Sequence, residues 1–216
     1  MPDKSLGIMG GTFNPIHFGH LAAAEAAREA FGLERVIFVP SGRPPHKDSR
    51  QVVAPEHRYL MTLLATLDNP SFEVSRLEID RPGPSFTIDT LRQLRDQFGE
   101  SAQLFFVTGA DAVAELPKWR DYEQIRALAQ IIAVTRPGYP LPVGEGFLDR
   151  APGADHSAGG QKPILTLEVP SVAISSHDLR RRVRLGLSLR YLIPDPVRDY
   201  IYRNRLYLDQ GREEGT

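Results

Sequence analysis

The chain has no cysteine among its 216 residues. Disulfides are therefore excluded, and no thiolate is available as nucleophile or metal ligand. That absence fits a reducing compartment, and the cytoplasm is the expected location. No apolar run approaches the length of about 20 residues that spans a bilayer. The opening Met1-Pro2-Asp3-Lys4-Ser5 lacks the charged-then-apolar layout of a secretion signal. Charge of one sign is also lacking. The formal net charge is −1, so the overall balance argues for neither a nucleic-acid nor a membrane partner. Tryptophan occurs once, as Trp119. The length suits one domain over residues 1–216, able to bury roughly 70% of its unfolded surface.

What is present alternates between apolar runs and helical patterns. Strands are expected at 6–9, 36–40, 72–75, 104–108, 131–135 and 164–169. Helices are expected at 20–31, 55–67, 87–98, 111–116, 122–129, 176–187 and 196–203. In the third helix Ile88, Leu91, Leu94 and Phe98 have the spacing of one buried face. This alternation implies an α/β fold, a doubly wound parallel sheet with helices on both sides. Ligands of such folds bind beyond the carboxyl ends of the strands. The region 137–163 is dense in Gly and Pro and reads as a mobile surface loop, with a C-terminal tail from about 209.

The most informative segment is Gly10-Gly11-Thr12-Phe13-Asn14-Pro15-Ile16-His17-Phe18-Gly19-His20, between the first strand and the first helix. Two glycines at a strand end permit a sharp turn and close approach of a ligand to bare N–H groups. The helix start adds donors and partial positive charge suited to phosphate. His17 and His20, three apart, fall on one side of that start. The glycine spacing fits neither a dinucleotide fingerprint nor a P-loop. Three readings stay open on these residues: phosphate chemistry, a metal held by the histidine pair, and a plain turn whose histidines cap the helix.

Other positions carry weaker signals. Ser175-x-x-Asp178 matches a capping box, so a helix starts there, with Arg180 in its first turns. A bound anion would suit that arginine, and a solvated basic face is the bland alternative. Asp111 follows the strand end at Gly109, where a strand delivers a ligand-facing residue, and it equally suits a helix N-cap. Trp119, between Lys118 and Arg120, reads as an exposed stacking face rather than a core residue. Thr87 reads equally as an N-cap.

The 10–20 segment resembles the G-G-T-F-D-P-x-H-x-G-H signature of bacterial nicotinate-nucleotide adenylyltransferases, within the H-x-G-H nucleotidyltransferase superfamily. Ile174-Ser175-Ser176-His177-Asp178-Leu179-Arg180 resembles that superfamily's I-S-S-T-x-I-R signature. Pro84-Ser85-Phe86-Thr87-Ile88-Asp89-Thr90-Leu91 and Gly109-Ala110-Asp111 resemble further blocks. Asn14 stands where the pattern has Asp, and His177 stands where it has Thr. The resemblance implies a Rossmann-like nucleotidyltransferase fold and transfer of AMP from ATP to nicotinate mononucleotide. Nicotinamide mononucleotide and pantetheine phosphate are the alternative acceptors, and a non-catalytic nucleotide-binding module is the alternative outside catalysis. By the same resemblance His17, His20 and Arg180 are catalytic. Gly10, Gly11, Thr12, Phe13, Gly109, Asp111 and Ser176 bind ATP, and Lys47, Thr87 and Trp119 bind the acceptor. Mg2+ is expected with ATP, without a protein metal site, and homo-oligomerisation is left open.

Overall fold

Apolar residues on successive strand positions face opposite sides of a sheet, and here they build two separate cores. The computed structural model describes residues 4–45, 48, 52–135, 147–149, 163–170 and 173–208. Its strands are β1 (Ser5–Gly11), β2 (Arg35–Pro40), β3 (Phe72–Val74), β4 (Gln103–Gly109), β5 (Ala129–Thr135), β6 (Phe147–Asp149) and β7 (Ile164–Glu168). They form one sheet in the order β3-β2-β1-β4-β5-β7-β6, with every pairing parallel. Met9, Val36, Phe38, Val107 and Ile132 point to one core, and Leu6, Ile8, Ile37, Val39, Leu104, Phe106, Ile131 and Ala133 point to the other. Burial on both faces is what a parallel sheet between helical layers requires.

The first core is covered by α1 (Phe18–Phe31), α2 (Pro55–Thr66), α7 (Ser176–Arg184) and α8 (Asp195–Arg203). The second is covered by α4 (Thr87–Phe98), α5 (Ala110–Val113) and α6 (Tyr122–Leu128), with the short α3 (Leu77–Asp80) at its rim. Helix α4 buries Ile88, Leu91 and Leu94 as its periodicity demands, while Phe98 is half-buried beside them. Each fully buried aliphatic side chain contributes roughly 1.5–3 kcal/mol relative to exposure. Helix α1 stops where Gly32 turns left-handed (φ 61°), and the Leu33 N–H closes back on the Arg28 carbonyl at 2.9 Å. Strand order reverses between β1 and β4, so their carboxyl ends, Gly11 and Gly109, open onto one crevice.

Five sequence expectations change. The region 137–163, expected to be a mobile surface loop, contains β6, which pairs with Ile164–Thr166 of β7. Its remaining residues up to 162 lie outside the described set, as does the tail from 209. The helix expected at 111–116 divides into α5 and a separate 3-10 turn, Leu116–Lys118. Helix α7 ends at Arg184 rather than 187, because Gly186 adopts φ 65° and the apolar stripe of Leu179 and Val183 is not continued. Thr87 is the first residue inside α4, and the N-cap is Phe86. Asp111 likewise lies inside α5, whose N-cap is Gly109.

Gly42, just beyond β2, has no room for a side chain: a Cβ there would collide with the Glu78 carbonyl oxygen. Gly42→Ala must therefore displace backbone. The expected loss is about 1–3 kcal/mol, seen as a lower Tm in a thermal melt. An unchanged Tm would mean that the 41–45 loop moves without cost.

Candidate active site

Two adjoining cavities lie at the strand-order reversal. The larger, about 580 Å³, is lined by Gly10, Gly11, Phe13, His17, His20, Gly109, Ser176 and Arg180 among others. The smaller, about 410 Å³, shares Phe13, His20, Ser176, His177 and Arg180 and adds Thr12, Asn14 and Asp48. The expected catalytic trio and most of the expected ATP-binding residues thus converge.

The loop from Gly11 to Pro15 is held by its carbonyl oxygens. Gly11 O accepts from the Ser41 N–H (2.9 Å) and Oγ (3.2 Å). Thr12 O accepts from Arg58 Nη1 (2.9 Å), Asn14 O from Arg180 Nη1 (2.8 Å), and Pro15 O from Ser176 Oγ (2.8 Å). With these carbonyl oxygens tied to other segments, the loop is fixed in place at the edge of both cavities. The Asn14–Pro15 peptide is cis, and Phe13 is left-handed at φ 47°. The Phe13 ring folds back so closely that a Cβ on Gly11 would stand 2.9 Å from it, which explains the second glycine. Asn14, where the family pattern has Asp, still orders the loop: its Oδ1 accepts from the Val53 N–H at 3.3 Å.

His17 is the N-cap of α1 and His20 its third residue. Their rings stack, centroids 3.7 Å apart and 28° between planes. The His17 N–H donates to His20 Nδ1 at 3.2 Å, which assigns the proton of the neutral His20 ring to Nε2. His20 thus caps the helix through Nδ1 while it also lines both cavities. His17 Nδ1 is buried at the start of α1, turned toward the His20 N–H as the reciprocal half of a capping box. Burial pushes His17 down to about 4. His20 is held well below the usual imidazole range by burial first and by the neighbouring His17 second. Both rings are neutral donors at neutral pH.

Arg180 is half-buried between the cavities, with burial lowering its proton affinity. One of its five N–H donors is spent on Asn14. Ser175 caps α7 as its sequence pattern required, accepting from the Asp178 N–H at 3.2 Å. His177 is exposed and lines both cavities. Asp111 is placed by its backbone only, within α5, and Lys47 lies outside the described residues.

Thr87 and Trp119 line neither cavity. Trp119 is also not the exposed residue its charged neighbours suggested. It is half-buried against the second core, edge-on to Phe106 with centroids 6.0 Å apart. Phe106 lies 3.5 Å from where a Gly10 Cβ would be, so Trp119 stands one ring away from the glycine turn. Beside it Arg120 covers the Phe86 ring at 4.9 Å, next to Thr87.

Sequence reasoning missed Arg58. It is 1% exposed and donates to Val53 O (3.1 Å), Thr12 O (2.9 Å) and Gly42 O (3.0 Å). A signal did exist: Arg58 shares the i, i+3, i+4, i+7 stripe of α2 with Met61, Thr62 and Ala65, all buried. An arginine on a buried stripe needs partners.

The depressed His17 value fixes a pH dependence. Above pH 6.5 the ring is neutral in folded and unfolded chains alike, so it contributes no slope. Between pH 6.5 and about 4 the unfolded chain takes up a proton that the native ring refuses, and stability falls as pH falls. The loss reaches about 3 kcal/mol for this group. His17→Asn should remove it, so the stability of the wild type relative to the variant declines by about that amount between pH 7 and pH 4. Parallel curves from urea unfolding at each pH would refute the buried neutral ring.

The chain matches the model of the cytidylyltransferase-like family over residues 8–182. The nicotinate-nucleotide adenylyltransferase of Moorella thermoacetica is 49% identical over 97% of this chain and 96% of its own length. That of Thermoanaerobacter is 48% identical over 94% and 93% respectively. Among solved structures, the nicotinic acid mononucleotide adenylyltransferase of Plasmodium falciparum, complexed with NaAD, superposes with a TM-score of 0.72. It covers 94% of this chain and 97% of its own at 18% identity, a likeness of fold. With the family model across most of its length and relatives near half identity across nearly all of it, this chain belongs to the nicotinate-nucleotide adenylyltransferases of the cytidylyltransferase-like family.

Proposed function

We propose that the chain transfers the AMP moiety of ATP to nicotinate mononucleotide, giving nicotinate adenine dinucleotide and pyrophosphate, in NAD synthesis. The observation that carries the reading is the carbonyl-anchored 11–15 loop beside two stacked neutral imidazoles. Such a surface presents donors without a general base or a covalent nucleophile. Adenylyl transfer needs neither. An oxygen of the acceptor 5′-phosphate, already ionised near neutral pH, forms a bond to the α-phosphorus. The bond from that phosphorus to the bridging oxygen breaks in line, and its electron pair leaves with pyrophosphate. Catalysis is then positioning and stabilisation of migrating charge.

In this reading the donors of the 11–15 loop, His17 and His20 hold the α- and β-phosphate oxygens. Arg180 and the start of α7 at Ser176 receive the β- and γ-phosphates, which become the leaving group. Gly109 and Asp111 face the adenylate sugar. Thr87, Trp119 and Lys47 serve the acceptor, with the Trp119 ring held in place by its T-shaped contact with Phe106. Among the described residues no group of three or more His, Asp or Glu could hold a metal. In this reading Mg2+ comes with the triphosphate and water, where it would neutralise phosphate charge. No helix among the described residues is long and apolar enough to cross a membrane, and dependence on ATP favours the cytoplasm. The choice of a pyridine acid as acceptor follows the named relatives.

Purified protein with ATP should release pyrophosphate with nicotinate mononucleotide far faster than with nicotinamide mononucleotide or pantetheine phosphate. Equal kcat/KM for the first two would remove the acid preference. No turnover with any of the three would leave only a nucleotide-binding module.

The two nitrogens of His20 can be separated. Asn retains an acceptor near the Nδ1 position and loses the Nε2 donor, whereas Gln does the reverse. His20→Asn should melt near the wild type and lose roughly a hundred- to thousand-fold in kcat, as for removal of one preorganised donor. His20→Gln should keep more activity and lose about 0.5–2 kcal/mol with the cap. A near-normal single-turnover rate in His20→Asn would reduce His20 to a helix cap.

A further inference from the structure

The structure points to Arg58 as a positioning residue that fixes the phosphate-side loop and the acceptor-side loop relative to each other; this rests on the adenylyl-transfer reading. Its guanidinium joins three segments that are distant in sequence. Nη1 reaches Thr12 O in the glycine loop, Nη2 reaches Gly42 O after β2, and Nε reaches Val53 O at the entry to α2. Val53 in turn donates its N–H to Asn14 Oδ1, so Arg58 touches the phosphate-side loop both directly and through its neighbour.

The contacts continue from Gly42 toward the acceptor block. The N–H groups of Gly42 and Arg43 both donate to Ser85 Oγ, at 3.0 and 3.2 Å. The buried Glu78, whose backbone lies against Gly42, accepts from Thr90 Oγ1 at 2.6 Å. Arg81 Nη2 donates to the same Thr90 oxygen at 2.7 Å. A continuous polar chain thus runs from Thr12 through Arg58 and Gly42 to Ser85, two residues before Thr87, with the Glu78–Thr90 pair packed beside it. The chain cannot slide, because Gly42 is pressed against the Glu78 backbone.

Stability alone gives little reason for this arrangement. A cation 1% exposed, hydrogen-bonded to carbonyls rather than to a carboxylate, carries a large desolvation cost. Burial lowers its pKa to about 10, so it remains charged at neutral pH. What the cost secures is geometry: a rigid fork whose three bonds fix three loop positions at once, which lysine's point charge cannot do. In-line transfer between two bound substrates depends on that mutual placement. A misplacement near 1 Å lowers the rate by about a hundred-fold.

The test uses Arg58→Lys and Ser85→Ala in the full chain. Each should bind ATP alone within about threefold of the wild type, by calorimetry. Each should lose about ten- to a hundred-fold in kcat at saturating ATP and nicotinate mononucleotide, measured well below its Tm. A lowered Tm with unchanged kcat in both variants would make the network merely structural and overturn the proposal. If Arg58→Lys does not fold, Ser85→Ala decides alone, because it keeps Arg58 and opens the chain at its far end. Failure of the underlying reading would look different: the wild type itself would not release pyrophosphate.

Discussion

A polypeptide backbone carries donors and acceptors in equal number, while a polyphosphate accepts only donors. Any backbone cradle for phosphate must therefore dispose of its own carbonyls, and that constraint organises this molecule. Gly11, Thr12, Asn14 and Pro15 each surrender a carbonyl oxygen to a donor from elsewhere in the fold: Ser41 after β2, Arg58 in α2, Arg180 and Ser176 in α7. Pro15 has no N–H to offer, so only its acceptor had to be hidden. The cradle is a property of four separate segments, assembled only when the sheet places the end of β1 beside β2 and under α7.

The same logic explains the two histidines. A charged imidazole would attract phosphate more strongly, yet two stacked rings 3.7 Å apart in a buried corner cannot both carry charge. Burial and mutual proximity keep them neutral, and the backbone bond to Nδ1 fixes which His20 nitrogen bears hydrogen. The site obtains oriented dipoles in place of mobile charges. Oriented dipoles need no reorganisation when charge shifts beside them.

Much of this was legible in the sequence, for identifiable reasons. Two-sided burial makes strands of a parallel sheet read as short apolar runs, and the one-face periodicity of α4 is unambiguous. The glycine pair with its two histidines, and Ser175 with Arg180, announced themselves because short-range chemistry constrains them. Errors arose where tertiary contacts override local preference. Phe86 caps α4 in place of Thr87 because its ring packs against the second core beneath Arg120. Trp119 turns inward although Lys118 and Arg120 turn out, since neighbours in a tight turn face different sides. Strand β6 could not be read from three residues inside a Gly- and Pro-rich stretch, because its pairing with β7 is what makes it a strand.

Arg58 marks the limit of reading along the chain. Its three partners lie 46, 16 and 5 residues away, and no local rule joins them. Catalytic side chains recur in recognisable patterns because they meet a common substrate. A residue that only meets backbone carbonyls answers to the fold instead, and its identity is set by the geometry of the loops it spans. The two arginines that hold the cradle illustrate the difference. Arg180 takes one carbonyl and keeps the rest of its donors toward the cavities, whereas Arg58 is wholly enclosed and spends its fork on the protein. In the proposed reading the first exchanges its backbone partner for a phosphate as substrate enters; the second has no such exchange available. A site of this kind needs both, one guanidinium that responds to the ligand and one that keeps the frame from responding.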